Sequence, residues 1–173
     1  MKEIVVKQAK KRDEITEIFI IRKQVFVHEQ KMFQGCDMDQ NDSKSIYLAA
    51  KLDGEIVGTV RLFPANEGNG HWVGGRLAVK KAYRSYGIGK LLVQNAMRYV
   101  KKHNCSKFTA HIQVENVSFF SRLGWRAVGT IKPYFGRPHQ LMEASLDFAD
   151  KLFSSTPPSP PVEVHPHMIK SNK

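Results

Sequence analysis

The apolar run Ile4-Val5-Val6 stands at the centre of Lys2–Ala9, and apolar residues then recur every three or four positions at Ile15, Ile18, Phe19, Ile21 and Val25. A short apolar run fits a strand and the longer spacing one face of a helix, so a strand over Lys2–Ala9 precedes a helix from Lys11 to about Val27. Ile46–Leu52 and Glu55–Phe63 are apolar runs separated by Asp53-Gly54, the strongest short signal for a β-hairpin. Trp72–Val79 reads as a further strand, whose Gly74-Gly75 pair allows a bulge or a close ligand approach. Ile88, Leu92, Ala96, Tyr99 and Val100 then define an amphipathic helix, with Lys90, Gln94, Asn95, Arg98, Lys101 and Lys102 opposite.

Beyond it, Lys107–Val114 alternates as a strand. Asn116 is a residue type that caps helices, Phe119, Phe120 and Leu123 form an inward face, and Gly124 suits a left-handed helix end. Arg126–Ile131 and Gln140–Leu146 read as two last strands, with the turn between them at Tyr134–Pro138. From Ser154 onward the chain holds five of its eight prolines and few large apolar residues. The expectation is one domain over residues 1–153 and a disordered tail over residues 154–173.

Charge sharpens this picture. The chain of 173 residues carries a net charge of +11. Residues 68–114 contain nine Lys and Arg and no Asp or Glu. At their centre stands Arg84-Ser85-Tyr86-Gly87-Ile88-Gly89-Lys90, directly ahead of the amphipathic helix. Unpaired N–H groups and the macrodipole make a helix start an anion site. Glycines at 87 and 89 permit positive φ and close approach of a phosphate. A nucleotide-triphosphate loop would need Ser or Thr where Leu91 stands, and a dinucleotide fingerprint a glycine where Leu92 stands, so both are excluded.

Arg84-x-x-Gly87-x-Gly89 following Leu77-Ala78-Val79 resembles motif A of the GNAT superfamily of N-acetyltransferases. Asn116 to Trp125, with its aromatic run closing on Leu123-Gly124-Trp125, resembles motif B. Arg22-x-x-Val25-Phe26-Val27-x-Glu29-Gln30, Gly74-Gly75-Arg76-Leu77-Ala78-Val79 and Gly136-Arg137-Pro138-His139 resemble the subgroup linked with nitrogen starvation. The superfamily resemblance spans Lys2 to about Asp150. It implies a single α/β (α+β) domain with a mixed, mostly antiparallel sheet of six to seven strands. That sheet would splay at the fourth and fifth strands and be flanked by about four helices.

The resemblance further implies direct acetyl transfer from acetyl-CoA, with no metal, to a primary amine. Cofactor contacts are expected at Leu77, Ala78, Val79, Arg84, Ser85, Tyr86, Gly87, Ile88, Gly89, Lys90, Asn116 and Phe119, with a backbone N–H of Leu77–Val79 facing the oxyanion. Lysine-type ammonium has a pKa near ~10.4 and must be deprotonated, so a base is required. Glu29 is the first candidate and His139 the second. Such enzymes often carry a tyrosine acid where this chain has Phe120. His111 is expected to pack, Arg76 to pair across the sheet, and Asp37, Asp39 and Asp42 to form a solvated or substrate-facing acidic rim.

Other classes stay open at this level. A catalytically silent acyl-CoA sensor would share the loop. A nucleic-acid binder would share the charge, but no base-reading helix positions or aromatic platform accompany it. No apolar stretch reaches 18 residues and the N-terminus has no h-region, which predicts a cytoplasmic protein without a membrane partner. Cys36 and Cys105 have neither metal-ligand spacing nor a CxxC motif. The acceptor amine, and the choice of monomer or homodimer, are not written in the sequence.

Overall fold

Asp53 (φ 49°) and Gly54 (φ 85°) both adopt left-handed backbone. This is the two-residue turn whose twist matches that of the flanking strands, and it starts the sheet. The structure is a computed structural model and describes residues 2–154. The expected tail, Ser154 apart, lies outside the described residues.

In chain order the elements are β1 (Ile4–Gln8), α1 (Arg12–Arg22), β2 (Ile46–Leu52), β3 (Glu55–Pro64), β4 (His71–Val79), α2 (Ile88–Lys102), β5 (Lys107–Gln113), α3 (Val117–Arg122), β6 (Trp125–Ala127), β7 (Lys132–Tyr134), β8 (Arg137–Ala144) and α4 (Leu146–Ser154). The sheet order is β1-β2-β3-β4-β5-β8-β6, with β7 also paired to β8. Among the described residues only β4 and β5 run parallel. A parallel pair needs a long crossover, and α2 supplies it.

Each face of the sheet has its own core. On one, Ile88, Leu92, Met97 and Val100 of α2 are fully buried with Leu62, Phe108 and Met142. On the other, Ile18 and Ile21 of α1 pack with Ala49 and Ala78. Among the described residues no helix is long and apolar enough to cross a membrane.

Four boundaries differ from the sequence expectation. The first helix widens after Arg22 into π-helical turns over Lys23–Glu29, closed by the Gln30 N–H donating to Val25 O at 2.9 Å. The expected strand at Arg126–Ile131 stops at Ala127; the chain turns through Gly129 and pairs again as β7, so the sheet has eight strands. Local propensity could not show that break, because β8 pairs with both short pieces.

Asn116 lies in a 3₁₀ turn ahead of α3, and its side chain makes no capping hydrogen bond. A last helix, α4, follows where no helix was expected. Gly124 does end α3 in left-handed backbone (φ 85°), and a Cβ there would come within 2.5 Å of Phe148. That close approach seats α4.

Candidate active site

β4 pairs with β5 only from His71 to Gly74, opposite Lys107 to Ala110. Beyond Gly74 the two strands part, and β4 has no strand partner on that side. The register of β4 against β3 also shifts, with Val60 opposed by both Arg76 and Leu77, and Arg76 takes φ 50°. A bulge beside a splay opens the sheet, and a cavity of about 350 Å³ fills the gap. On the α2 side its wall includes Val93, Ala96, Phe120 and Trp125. On the α1 side it includes Phe26, Gln30, Phe33, His111, Tyr134 and His139.

Next to this opening, Lys81–Tyr86 forms a 3₁₀ turn, and Gly87 reverses it with φ 72° to start α2 at Ile88. A Cβ on Gly87 would meet nothing within 4 Å, so the approach to the helix start is open. Ser85, Tyr86 and Lys90 are exposed around it. Gly89 departs from the sequence argument: its φ is not positive, and a Cβ there would sit 3.8 Å from the Phe119 ring in ordinary contact. Arg84 donates from Nε to Val79 O at 3.0 Å and from Nη2 to Glu29 Oε2 at 2.6 Å.

Of the expected site residues, Leu77, Asn116 and His139 line the cavity; Glu29 and the Arg84–Lys90 loop do not. Ala78 points its side chain into the α1-side core. Phe119 stands edge-on to Phe120, with ring centroids 5.4 Å apart.

His139 is 5% exposed, and its Nδ1 lies 2.8 Å from Arg137 O. A carbonyl oxygen only accepts, so Nδ1 is the donor here, and in the neutral ring Nε2 is the nitrogen that offers a lone pair. His111 packs against Tyr134. It is an exposed residue on the cavity wall, its ring stacked 5.3 Å from Tyr134 at 7°. Burial, then the charges of His139 and Lys132, push its pKa down.

The acidic rim is a correction. Asp37 is 2% exposed, and all three aspartates are bonded to buried arginines, with Asp39 alone keeping a quarter of its side chain exposed. Arg22, fully buried, donates to Asp37 Oδ2 at 2.8 Å and to Asp42 Oδ1 at 2.7 Å. Arg61 grips both oxygens of Asp39 at 2.7 and 3.0 Å. Arg76, expected to pair across the sheet, instead donates from Nε to Asp37 Oδ2 at 3.0 Å and lies 4.6 Å from the Phe33 ring.

Burial by itself would raise the Asp42 carboxyl, but bonds from Arg22, the Asp39 N–H and Tyr47 more than offset it and hold the pKa far below the carboxylate range. Burial and the bond to Asp42 push Tyr47 up to about 12. The arginines and the aspartates they bond lie 15 to 39 positions apart, so no local pattern announced those pairs. Among the described residues no His, Cys, Asp or Glu cluster could hold a metal.

Residues 12–125 match the model of the Acetyltransferase (GNAT) family. A Bacillus subtilis protein named "Putative acetyltransferase" is 30% identical, over 83% of this chain and 98% of its own. An N-alpha-acetyltransferase of Sulfurisphaera tokodaii is 28% identical over 60% of this chain and 71% of its own. Among solved structures, an acyl-CoA N-acyltransferase from Pseudomonas aeruginosa superposes with a TM-score of 0.72 over 84% of this chain and 100% of that one. At 23% identity it speaks for the fold alone.

Proposed function

The chain belongs to the GNAT family of acetyltransferases, and from that premise we propose that it moves an acetyl group from acetyl-CoA to a primary amine held on the α1 side of the cavity. Acyl-CoA-dependent N-acyl transfer is the activity that the family supports. The observation that carries the finer reading is the opening through the sheet past Gly74, which joins the two faces at one point. A thioester and an amine can then meet from opposite sides.

The residues present fit acetyl-CoA. Gly87 leaves the start of α2 open, and Arg84, Ser85, Tyr86, Ile88, Gly89 and Lys90 surround it with N–H groups and positive charge. Leu77, Ala78 and Val79 offer backbone on the unpaired edge of β4, where an N–H can face the developing oxyanion. Asn116 and Phe119 flank the same side.

His139 Nε2 is the base this geometry favours. It takes a proton from the ammonium, the freed nitrogen lone pair forms the C–N bond as the C–S bond breaks, and the second proton that the nitrogen sheds on becoming an amide passes to solvent. Glu29 is the second candidate, since its carboxylate is paired with Arg84 outside the cavity wall. Phe120 donates no proton, so the thiolate leaves unassisted and is protonated by solvent, or Tyr134 serves. Free thiols at Cys36 and Cys105 suit a reducing compartment, and a cytoplasmic site of action is part of this proposal.

Incubation with acetyl-CoA and an amine library tests the reading. Thiol release matched by a product heavier by one acetyl group is the expected result. Binding of acetyl-CoA without turnover on any amine would identify a sensor instead.

A further inference from the structure

Among the described residues the α1 side of the cavity has no carboxylate in its wall. Phe26, Met32, Phe33 and Tyr134 supply the apolar surface, and the amides of Gln30 and Gln113 face it with the two histidines. The nearby aspartates bond to Arg22, Arg61 and Arg76, and two of those arginines themselves reach the wall. Among the described residues these three carboxylates are already balanced by three guanidinium groups, so none of them is left to neutralise a further cation.

The rings are ordered: Phe33 meets Phe135 at 4.3 Å, and Tyr134 bridges His111 and His139 at 5.3 and 5.2 Å. Gln113 Nε2 donates to Gln30 Oε1 at 2.9 Å and so ties the loop after the first helix to β5.

We propose that the acceptor is a monoamine with an aromatic or otherwise apolar body and no second cationic group. The inference rests on the reading above, that this cavity receives the acceptor. An apolar body gains by leaving water, and a ring gains further from offset or edge contacts with the wall. A second ammonium would be stripped of water with no anion to meet it, which hydrogen bonds to amides do not compensate. The chain's net charge of +11 also disfavours the approach of a polycation.

The test uses the full chain, acetyl-CoA, and 2-phenylethylamine, spermidine or kanamycin as separate acceptors. Thiol release and product mass are the readouts, with acetyl-CoA binding followed by calorimetry. The expected kcat/KM for 2-phenylethylamine exceeds that for either polycation by about 100-fold. Equal or better use of spermidine or kanamycin would overturn the inference, as would acetyl-CoA binding with no acetylation of 2-phenylethylamine. Both outcomes leave the donor assignment standing, whereas absence of acetyl-CoA binding would remove donor and inference together.

Gln113→Glu supplies the missing anion and should shift the spermidine to 2-phenylethylamine preference by roughly 10-fold toward spermidine. Phe33→Ala should raise KM for 2-phenylethylamine by roughly 10-fold with acetyl-CoA affinity unchanged. A correctly folded pair of variants that keeps the wild-type preference and KM would overturn the inference.

Discussion

Arg84 Nη2 donates to Glu29 Oε2 at 2.6 Å while its Nε holds Val79 O at 3.0 Å. The arginine of the glycine-rich loop thus fastens the end of the first helical segment to the end of β4. An anion that recruits Arg84 must compete with Glu29 for it.

This contact separates two roles for Glu29. The pair is partly exposed, at 43% and 27%, and such pairs contribute about 0.2–1 kcal/mol. Glu29→Gln should therefore tighten acetyl-CoA binding by roughly 1.4- to 5-fold in calorimetry, with kcat within about five-fold of wild type. His139→Gln should lower kcat by about 10²-fold or more. The opposite pattern would make Glu29 the base.

Gly87 and Gly89 should behave differently. Valine at 87 is forced into left-handed backbone, at a cost of about 1–3 kcal/mol, and places a branched side chain at the open helix start. Gly87→Val should abolish the stabilisation of about 2.7 kcal/mol expected at 100 times the dissociation constant of acetyl-CoA. Gly89→Val should reduce that thermal shift without abolishing it, since its backbone is already helical. An undiminished shift for Gly87→Val would remove the phosphate assignment.

Phe120 is 7% exposed and edge-on to Phe119 and Trp125. With no hydroxyl there, kcat should show no falling limb from a tyrosine near pH ~10. Phe120→Tyr should introduce one. If the wild-type profile already falls and Tyr134→Phe abolishes the fall, Tyr134 is the proton donor.

The arginine–aspartate cluster predicts the acid stability. For both Asp39 and Asp42, burial opposes ionisation, but their arginine partners prevail and hold the pKa below normal. A depressed carboxylate contributes stability that is complete above its unfolded pKa of about 3.9 and is lost as pH falls through the lower folded value. Urea unfolding should show a wild-type plateau above about pH 4 and a decline below it. Arg22→Met, which leaves Asp37 to Arg76 and Asp42 to Arg61 alone where each had two arginines, should cost up to about 3–5 kcal/mol at neutral pH. Its acid decline should be shallower. An unchanged unfolding midpoint for Arg22→Met would contradict the cluster's role.

The sequence by itself determined whatever depends on neighbours a few residues apart. The period of three and four from Ile88 to Val100 became α2, Asp53-Gly54 became the hairpin turn, and Gly124 ended α3. The glycine-rich loop was legible for the same reason, since a left-handed residue before a helix is a local backbone requirement. Tertiary structure decided the rest. Arg22, Arg61 and Arg76 meet Asp37, Asp39 and Asp42 only because β3, β4 and the loop before β2 converge.

Glu29 meets Arg84 across 55 positions, and the wall around His139 combines the first helical segment, β5, β7 and β8. Charge counted along the chain suggested an acidic rim; charge paired in space left a neutral, aromatic one. Side-chain pairing over such separations is set by strand order and register, and no single stretch of sequence contains either.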